Sequence, residues 1–456
     1  MIQLQAQKVL RSLFQQQKQN FSIKRTFYDF IYRDDKSTPQ YQATHADPRI
    51  PLKTHTSETI DELPLQYQQT KLQNGITVVT EQQTFPSQVD VGILLDVGTR
   101  DENTETSGAL LSIKNTYLKT CLNTNETVNY GIVQQSGGSF EMEYDQETSY
   151  FKANCLAHDF VDVFSMVADC ALEPRSAVAS SVAIEKNQNT HKLDAYLKTG
   201  ELFNEYVFKT AYGFQGLGLP LKGLKGNVKN LNSFVLQKFQ LQNIAPHKIY
   251  VCASGVEHHE EFVELVQSKL GNIAVGNQES QHVREKSEYQ GGEVRNLTEE
   301  SQTVLALLFQ SANWKSNNLF AFNLAKVLLQ NLRLRKNVLN KHSFVDNAES
   351  LNFHFTDSGL FGLKLQGSSD KSRQLLDLSI AELKGLANNI SQDELNIAKN
   401  HLKNQILNAM ERQTDRLEES ARNFRTFGKV LHTQYSELID QVTTDQVQKC
   451  CSLGFK

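Results

Sequence analysis

Three groupings in this chain hold side chains that could do chemistry. His258-His259-Glu260-Glu261 brings together two imidazoles and two carboxylates, the donor types that bind zinc or move protons. Adjacent helical residues point in different directions, so the two histidines do not converge on one ion. The segment follows Gly255-Val256-Glu257 and reads as a helix start, where acidic side chains suit the positive end of the dipole. The six cysteines, Cys121, Cys155, Cys170, Cys252, Cys450 and Cys451, include no CxxC pair. Neither a structural zinc site nor a disulfide framework follows from that spacing, and the plain reading is buried thiols in a reducing compartment. Arg333, Arg335 and Lys336 form a basic cluster, read first as a solvated face and second as a contact for an acidic partner.

Positioning such groups needs a fold, and 456 residues exceed one ordinary core. Hydrophobic content of 39% and charged content of 21% describe a soluble globular chain. A formal net charge of −4 argues against a nucleic-acid binder. No apolar run approaches the roughly 18 residues that span a bilayer. Membrane association is therefore expected only through partners.

The N-terminus differs from the rest. Met1 to Tyr28 carries Lys8, Arg11, Lys18, Lys24 and Arg25 with no Asp or Glu, and Leu4, Val9, Leu10, Leu13 and Phe14 share a helical face. This pattern reads as a mitochondrial presequence over residues 1–28, with a solvated surface helix as the other reading. Residues 29–66, broken by Pro39, Pro48, Pro51 and Pro64, read as an extended arm.

Beyond it, Leu72 to Val79 reads as strand, Asn-Gly turn and strand, and Val89–Val97 as a buried strand. A helix over Ser107–Thr120 follows, then a hairpin of Ser139–Tyr144 and Thr148–Leu156, then an amphipathic helix over Asp159–Leu172. A long polar helical region spans Ser180–Phe208, and strand Lys248–Ser254 and helix Glu260–Leu270 close the series. After a Gln-, Glu- and Gly-rich linker at 271–292 the order restarts: strand Thr303–Gln310, helix Leu319–Leu334, hairpin Ser350–Phe355 with Gly359–Gln366, helix Ser372–Leu386, long helical region Gln392–Arg425. Val91 and Phe151 lie 60 residues apart, Val304 and Phe361 57 apart. An internal duplication explains the matching order. The predicted fold is α+β: two homologous lobes, each a mostly antiparallel sheet covered by helices, over 67–270 and 293–456.

Leu72-Gln73-Asn74-Gly75-Ile76-Thr77-Val78-Val79, Val97-Gly98-Thr99-Arg100-Asp101-Glu102, Gly137-Gly138 and Leu217-Gly218-Leu219-Pro220-Leu221 resemble successive motifs of the pitrilysin-type metallopeptidases. Val338-Leu339-Asn340-Lys341-His342 and Asp357-Ser358-Gly359-Leu360-Phe361 are similar to the alpha subunit of mitochondrial processing peptidase, whose relatives include the core proteins of respiratory complex III. The resemblance runs from about residue 66 to 450.

Active members of that family bind zinc through an H-x-x-E-H motif on the first helix plus a distant Glu. Here the two ligand positions hold Leu111 and Asn115, the general-base position holds Lys114, and ungapped spacing puts the third ligand position on His191. Leu has no donor atom, Asn is a poor ligand, Lys repels a cation, and His191 alone cannot hold zinc. The resemblance thus implies degenerate site positions, no catalytic residue and no metal or other cofactor. The family's glycine-rich loop corresponds to Leu329–Asn337, which holds no glycine and reads as a basic helix continuing straight through. The second lobe also stops at Cys450 to Lys456, without the terminal strand of the first, so an exposed sheet edge is expected there.

These features imply a non-catalytic core (scaffold) subunit of ubiquinol–cytochrome c reductase, respiratory complex III, on the matrix side of the mitochondrial inner membrane. Its partners would be a beta-type or core protein 1 homologue and other complex III subunits, including cytochromes b and c1. The alternative is the non-catalytic alpha subunit of mitochondrial processing peptidase, paired with a zinc-bearing beta subunit. A single-chain metalloenzyme with a rebuilt site is the third reading.

Overall fold

The computed structural model describes residues 66–82, 88–119, 125–172, 202–228, 230–273, 284–296, 301–431 and 434–452. The presequence, the N-terminal arm, Cys121 and His191 lie outside the described residues.

The first half opens with the hairpin β1 (Gln66–Lys71) and β2 (Thr77–Gln82), closed through Asn74-Gly75. Gly75 takes φ +102, a conformation that side-chain-bearing residues rarely adopt. β3 (Gln88–Leu95), α1 (Ala109–Thr116), α2 (Glu126–Gln135), the hairpin β4 (Ser139–Tyr144) and β5 (Ser149–Leu156), α3 (Phe160–Leu172), α4 (Leu202–Tyr212), α5 (Ser233–Asn243), β6 (Ile249–Ser254) and α6 (His259–Leu270) follow. The sheet order is β1-β2-β6-β3-β5-β4, antiparallel except for the parallel pair β2–β6.

The second half repeats the plan with fewer strands. β7 (Gln302–Gln310), α7 (Leu319–Val327), a π-helix over Leu328–Leu339, β8 (Val345–His354), β9 (Gly359–Ser368), α8 (Ser372–Asn388), α9 (Gln392–Glu411), α10 (Gln413–Phe427), α11 (Tyr435–Asp440) and α12 (Thr444–Ser452) follow in order. Its sheet is β7-β9-β8, all antiparallel.

Each half buries its own core between sheet and helices. In the first, Val91, Ile93, Phe151, Phe164 and Phe262 are central; in the second, Leu324, Leu328, Phe361, Leu363 and Leu375. The opposite faces are covered by exchange. Leu417, Ala421 and Phe424 of α10 lie on Val79, Leu94, Tyr150 and Cys252 of the first sheet. Phe208, Ala211 and Tyr212 of α4 lie on Phe355 and Leu360 beside the second, and the Phe208 and Phe353 rings meet edge-on at 4.9 Å. Coverage on both faces explains why Val91–Leu95 of β3 reads as an apolar run rather than an alternation.

Two expectations are corrected. The segment at 329–337 is helical, but it winds as a π-helix: the Asn340 N–H donates to Arg335 O, five residues back. This wider winding turns Leu329, Leu334 and Val338 into the core together. The region expected as one long helix over 392–425 is two, parted where Arg412 turns extended (φ −79°, ψ 126°). Within the linker expected at 271–292, residues 284–292 have no regular element and hold Arg284 and Ser287 in a network between the halves.

Candidate functional site

α1 begins at Gly108, whose φ of +92 lets the chain turn into the helix. A Cβ on Gly223 would stand 2.4 Å from the Gly108 Cα, so the two glycines meet backbone to backbone. The exposed N–H groups of the first turn are satisfied from upstream: the Glu102 carboxylate accepts from Gly108 N at 2.8 Å and from Leu110 N at 3.0 Å. Burial pushes that carboxyl up to about 8, against the pull of these two donors.

Of the four positions singled out by resemblance, α1 carries three. Leu111 and Asn115 stand one turn apart on one face, both half-buried, and Lys114 is exposed. The Lys114 ammonium lies 5.7 Å from the centre of the Tyr144 ring on β4, and the Tyr144 hydroxyl donates to Leu221 O at 3.1 Å. Among the described residues no three His, Cys, Asp or Glu side chains gather as a metal-binding group.

The other candidate groupings resolve into ordinary roles. His259 joins Thr70 Oγ1 through Nε2 at 2.8 Å and Thr80 Oγ1 through Nδ1 at 2.7 Å, so both ring nitrogens are engaged, while His258 is exposed. The five described cysteines are buried, and burial pushes the Cys155 and Cys451 thiols up to about 12. Arg333 donates to Asn389 O, leaving Arg335 and Lys336 exposed on the π-helix.

The densest chemistry lies where the halves meet. A tight turn at Thr99–Asp101 sits against the β4–β5 turn: Thr99 N donates to Asp145 O at 3.1 Å and Arg100 N to Gln146 O at 2.9 Å. A Cβ on Gly98 would lie 2.3 Å from the Gln146 carbonyl, so only glycine allows this approach. The Arg100 side chain then reaches Glu147 at 2.5 Å and Asp357 at 2.8 Å, with its own side chain 1% exposed. The same guanidinium donates to Glu285 O and Ser287 Oγ. Asp357 sits in the β8–β9 turn of the other half; although burial opposes its charge, Arg100 and the Ser287 N–H hold its carboxyl below the usual range.

Glu147 also crosses between halves, accepting from the N–H and hydroxyl of Thr356 at 3.0 and 2.8 Å. Arg284 binds Asp96 and Asp101 at 3.0 and 2.6 Å. Arg416, Arg422 and Arg425, all on α10, reach Glu81, Asp145 and Asp96 of the first half at 2.7, 2.8 and 2.7 Å. Glu81 is fully buried; although burial opposes its charge, Arg416 and the Tyr67 hydroxyl keep its carboxyl low. Arg100 and Asp357 fell within motifs read from the sequence, whereas Arg284 and the α10 arginines carried no motif signal. Their only trace was arginine at six- and three-residue intervals on a helix with little apolar content.

The architecture and motifs match known proteins. A family model described as insulinase (peptidase family M16) matches residues 77–224, and one described as peptidase M16 inactive domain matches residues 230–402. The mitochondrial-processing peptidase subunit beta of Blastocladiella emersonii is 24% identical over 402 residues, covering 84% of each chain. The subunit alpha of the same enzyme from Solanum tuberosum is 25% identical over 388 residues, covering 80% of this chain and 75% of that one. A crystal structure of a protease from Helicobacter pylori superimposes with a TM-score of 0.78 at 18% identity, over 86% of this chain and 97% of that one. With models of one family matched in succession along both halves, the chain belongs to the M16, pitrilysin-type peptidase family.

Proposed function

We propose that this chain is a non-catalytic subunit of a mitochondrial M16 assembly, paired with a zinc-bearing beta-type chain. The carrying observation is α1: the positions that would hold two imidazoles and a carboxylate hold Leu111, Asn115 and Lys114. These residues do not fit a zinc ion, since one has no donor atom, one offers only an amide and one is a cation. Two of the relatives matched over most of their length are named as the beta and alpha subunits of mitochondrial-processing peptidase, which supports a chain that works in a pair. The acid-free N-terminus supports a mitochondrial address.

Within that reading we favour a matrix-side core subunit of respiratory complex III over the alpha role in processing. The glycine-free π-helix supports this choice, because a presequence-holding glycine loop has no counterpart there. The alpha role is the second reading, favoured by the names of the relatives. Native electrophoresis of mitochondrial membranes tests the first: comigration with cytochromes b and c1 is expected, and migration in a soluble pair without them overturns it. Pull-down with a basic presequence peptide tests the second, for which retention is expected.

A further inference from the structure

The Asn74-Gly75 turn between β1 and β2 holds a reaction within itself. A glycine nitrogen that follows asparagine is a poorly shielded backbone nucleophile, because glycine has no side chain to block approach. Attack of the Gly75 nitrogen on the Asn74 side-chain carbonyl carbon forms an N–Cγ bond. The Cγ–Nδ2 bond then breaks, and the side-chain nitrogen leaves as ammonia with the Gly75 amide proton. Water opens the resulting succinimide to aspartate or isoaspartate. Nothing is oxidised or reduced, and water is the only co-reactant.

The fold ties down each group that this reaction uses. The Asn74 amide nitrogen, the leaving group, donates to Leu270 O at 2.8 Å and to Gly271 O at 3.4 Å, at the end of α6. The Asn74 carbonyl oxygen accepts from Ile76 N at 3.2 Å, and the Gly75 N–H donates to Leu72 O at 2.9 Å. At the other end of α6, His259 joins Thr70 of β1 and Thr80 of β2. One helix therefore holds the hairpin at both ends. The contact with Leu270 also decides what the product does. A carboxylate has no hydrogen to donate, so an aspartate at position 74 would turn acceptor oxygens onto the Leu270 and Gly271 carbonyls, where the helix dipole is already negative.

We propose that Asn74-Gly75 is a self-modification site, held unreacted by its contact with α6, whose conversion releases the hairpin tip from that helix. Reaction requires the hairpin to lift from α6, so the converted fraction records how often it has opened. Conversion is irreversible and marks chains that have loosened at this edge of the first half. The proposal does not depend on whether α1 is catalytic.

The full chain, incubated natively and in urea and then mapped by mass spectrometry, supplies the test. Conversion at Asn74 should be at least about tenfold slower in the native chain, because only the open hairpin reacts. His259→Ala, which frees the hairpin from the other end of α6, should speed native conversion several-fold. For the product, Asn74→Asp should melt below Asn74→Ala, since it adds repulsion to a lost tether. It should also speed hydrogen exchange at Gly271 and Ile273, whose amides close the last turn of α6. Equal rates in the native and unfolded chain, or no conversion in either, overturns the proposal. So does a folded His259→Ala chain that reacts no faster, or an Asn74→Asp variant that melts with or above Asn74→Ala.

Discussion

Arg100 of the first half and Asp357 of the second form a two-point ion pair at 2.8 and 3.2 Å, with Glu147 closing on the same guanidinium. This is the polar centre of an exchange in which α10 lies on one sheet and α4 beside the other. The apolar exchange supplies burial, but apolar contact is tolerant of sliding. Directional pairs between fixed turns set the relative position of the halves, because a guanidinium fork fits carboxylates only in narrow geometry.

Removing one partner of this pair should cost more than the pair contributes. Arg100→Met leaves Glu147 and Asp357 facing a neutral side chain, and uncompensated buried charge of this kind costs about 3–5 kcal/mol. Asp357→Asn should cost less, since Glu147 still holds Arg100. Urea denaturation of both single variants and the double variant should give a coupling of about 1–3 kcal/mol. Additive losses would show that the two residues do not act as a pair.

Glycine substitutions should divide sharply by what surrounds them. Gly98→Ala would drive a methyl to 2.3 Å from the Gln146 carbonyl, and neither turn has room to yield, so a loss of at least 1–3 kcal/mol, roughly the cost of overpacking, is expected. Gly131 lies inside α2 with nothing within 4 Å of its would-be Cβ. Gly131→Ala should therefore stabilise by about 0.5–1 kcal/mol. Thermal melts of the two variants in parallel check the contrast, and equal effects would contradict it.

Much of this arrangement was legible in the residues. Hairpins announced themselves through Asn74-Gly75 and through alternation around Asp145 and Asp357, and α3 through its apolar period. The π-helix was not legible, because Leu328, Leu332 and Leu339 fall at α-helical spacing, and only core packing turns Leu334 and Val338 inward with Leu329. Nor was the break at Arg412, where no glycine or proline interrupts the pattern. Arg284 was hidden for another reason: a Gln- and Glu-rich stretch reads as solvated until its partners Asp96 and Asp101 are brought to it from another part of the chain.

Stability should carry an acid-side signature from His354. Its Nδ1–H donates to Ala312 O at 2.7 Å and its Nε2 accepts from the Asn352 amide at 2.9 Å. Burial pulls the imidazole down to about 4 from its ordinary 6.5. Between those values the unfolded chain binds a proton that the folded chain refuses, so folding stability rises with pH across the window and is flat above it. The whole effect is on the order of 3 kcal/mol. Glu102, pushed up by burial, has the opposite sign between its ordinary 4.5 and about 8, so total stability is not the readout. Instead, the difference between wild type and His354→Gln should grow from pH 4 to 6.5 and then stay constant. Parallel curves would sink the assignment.

The reading of α1 can be tested by rebuilding what it lacks. Leu111→His, Lys114→Glu and Asn115→His would place two imidazoles one turn apart with a carboxylate beside them. Lys114 is exposed, so its replacement loses only the contact with Tyr144, about 0.5–1 kcal/mol. Elemental analysis after dialysis should find at least tenfold more zinc in the triple variant than in the wild-type chain. If the third position counted on His191 is right, adding His191→Ala should strip most of that zinc away again. Stoichiometric zinc in the wild type would overturn the non-catalytic reading outright. A triple variant that folds but takes up no zinc would mean that α1 is not the helix on which this family builds its site.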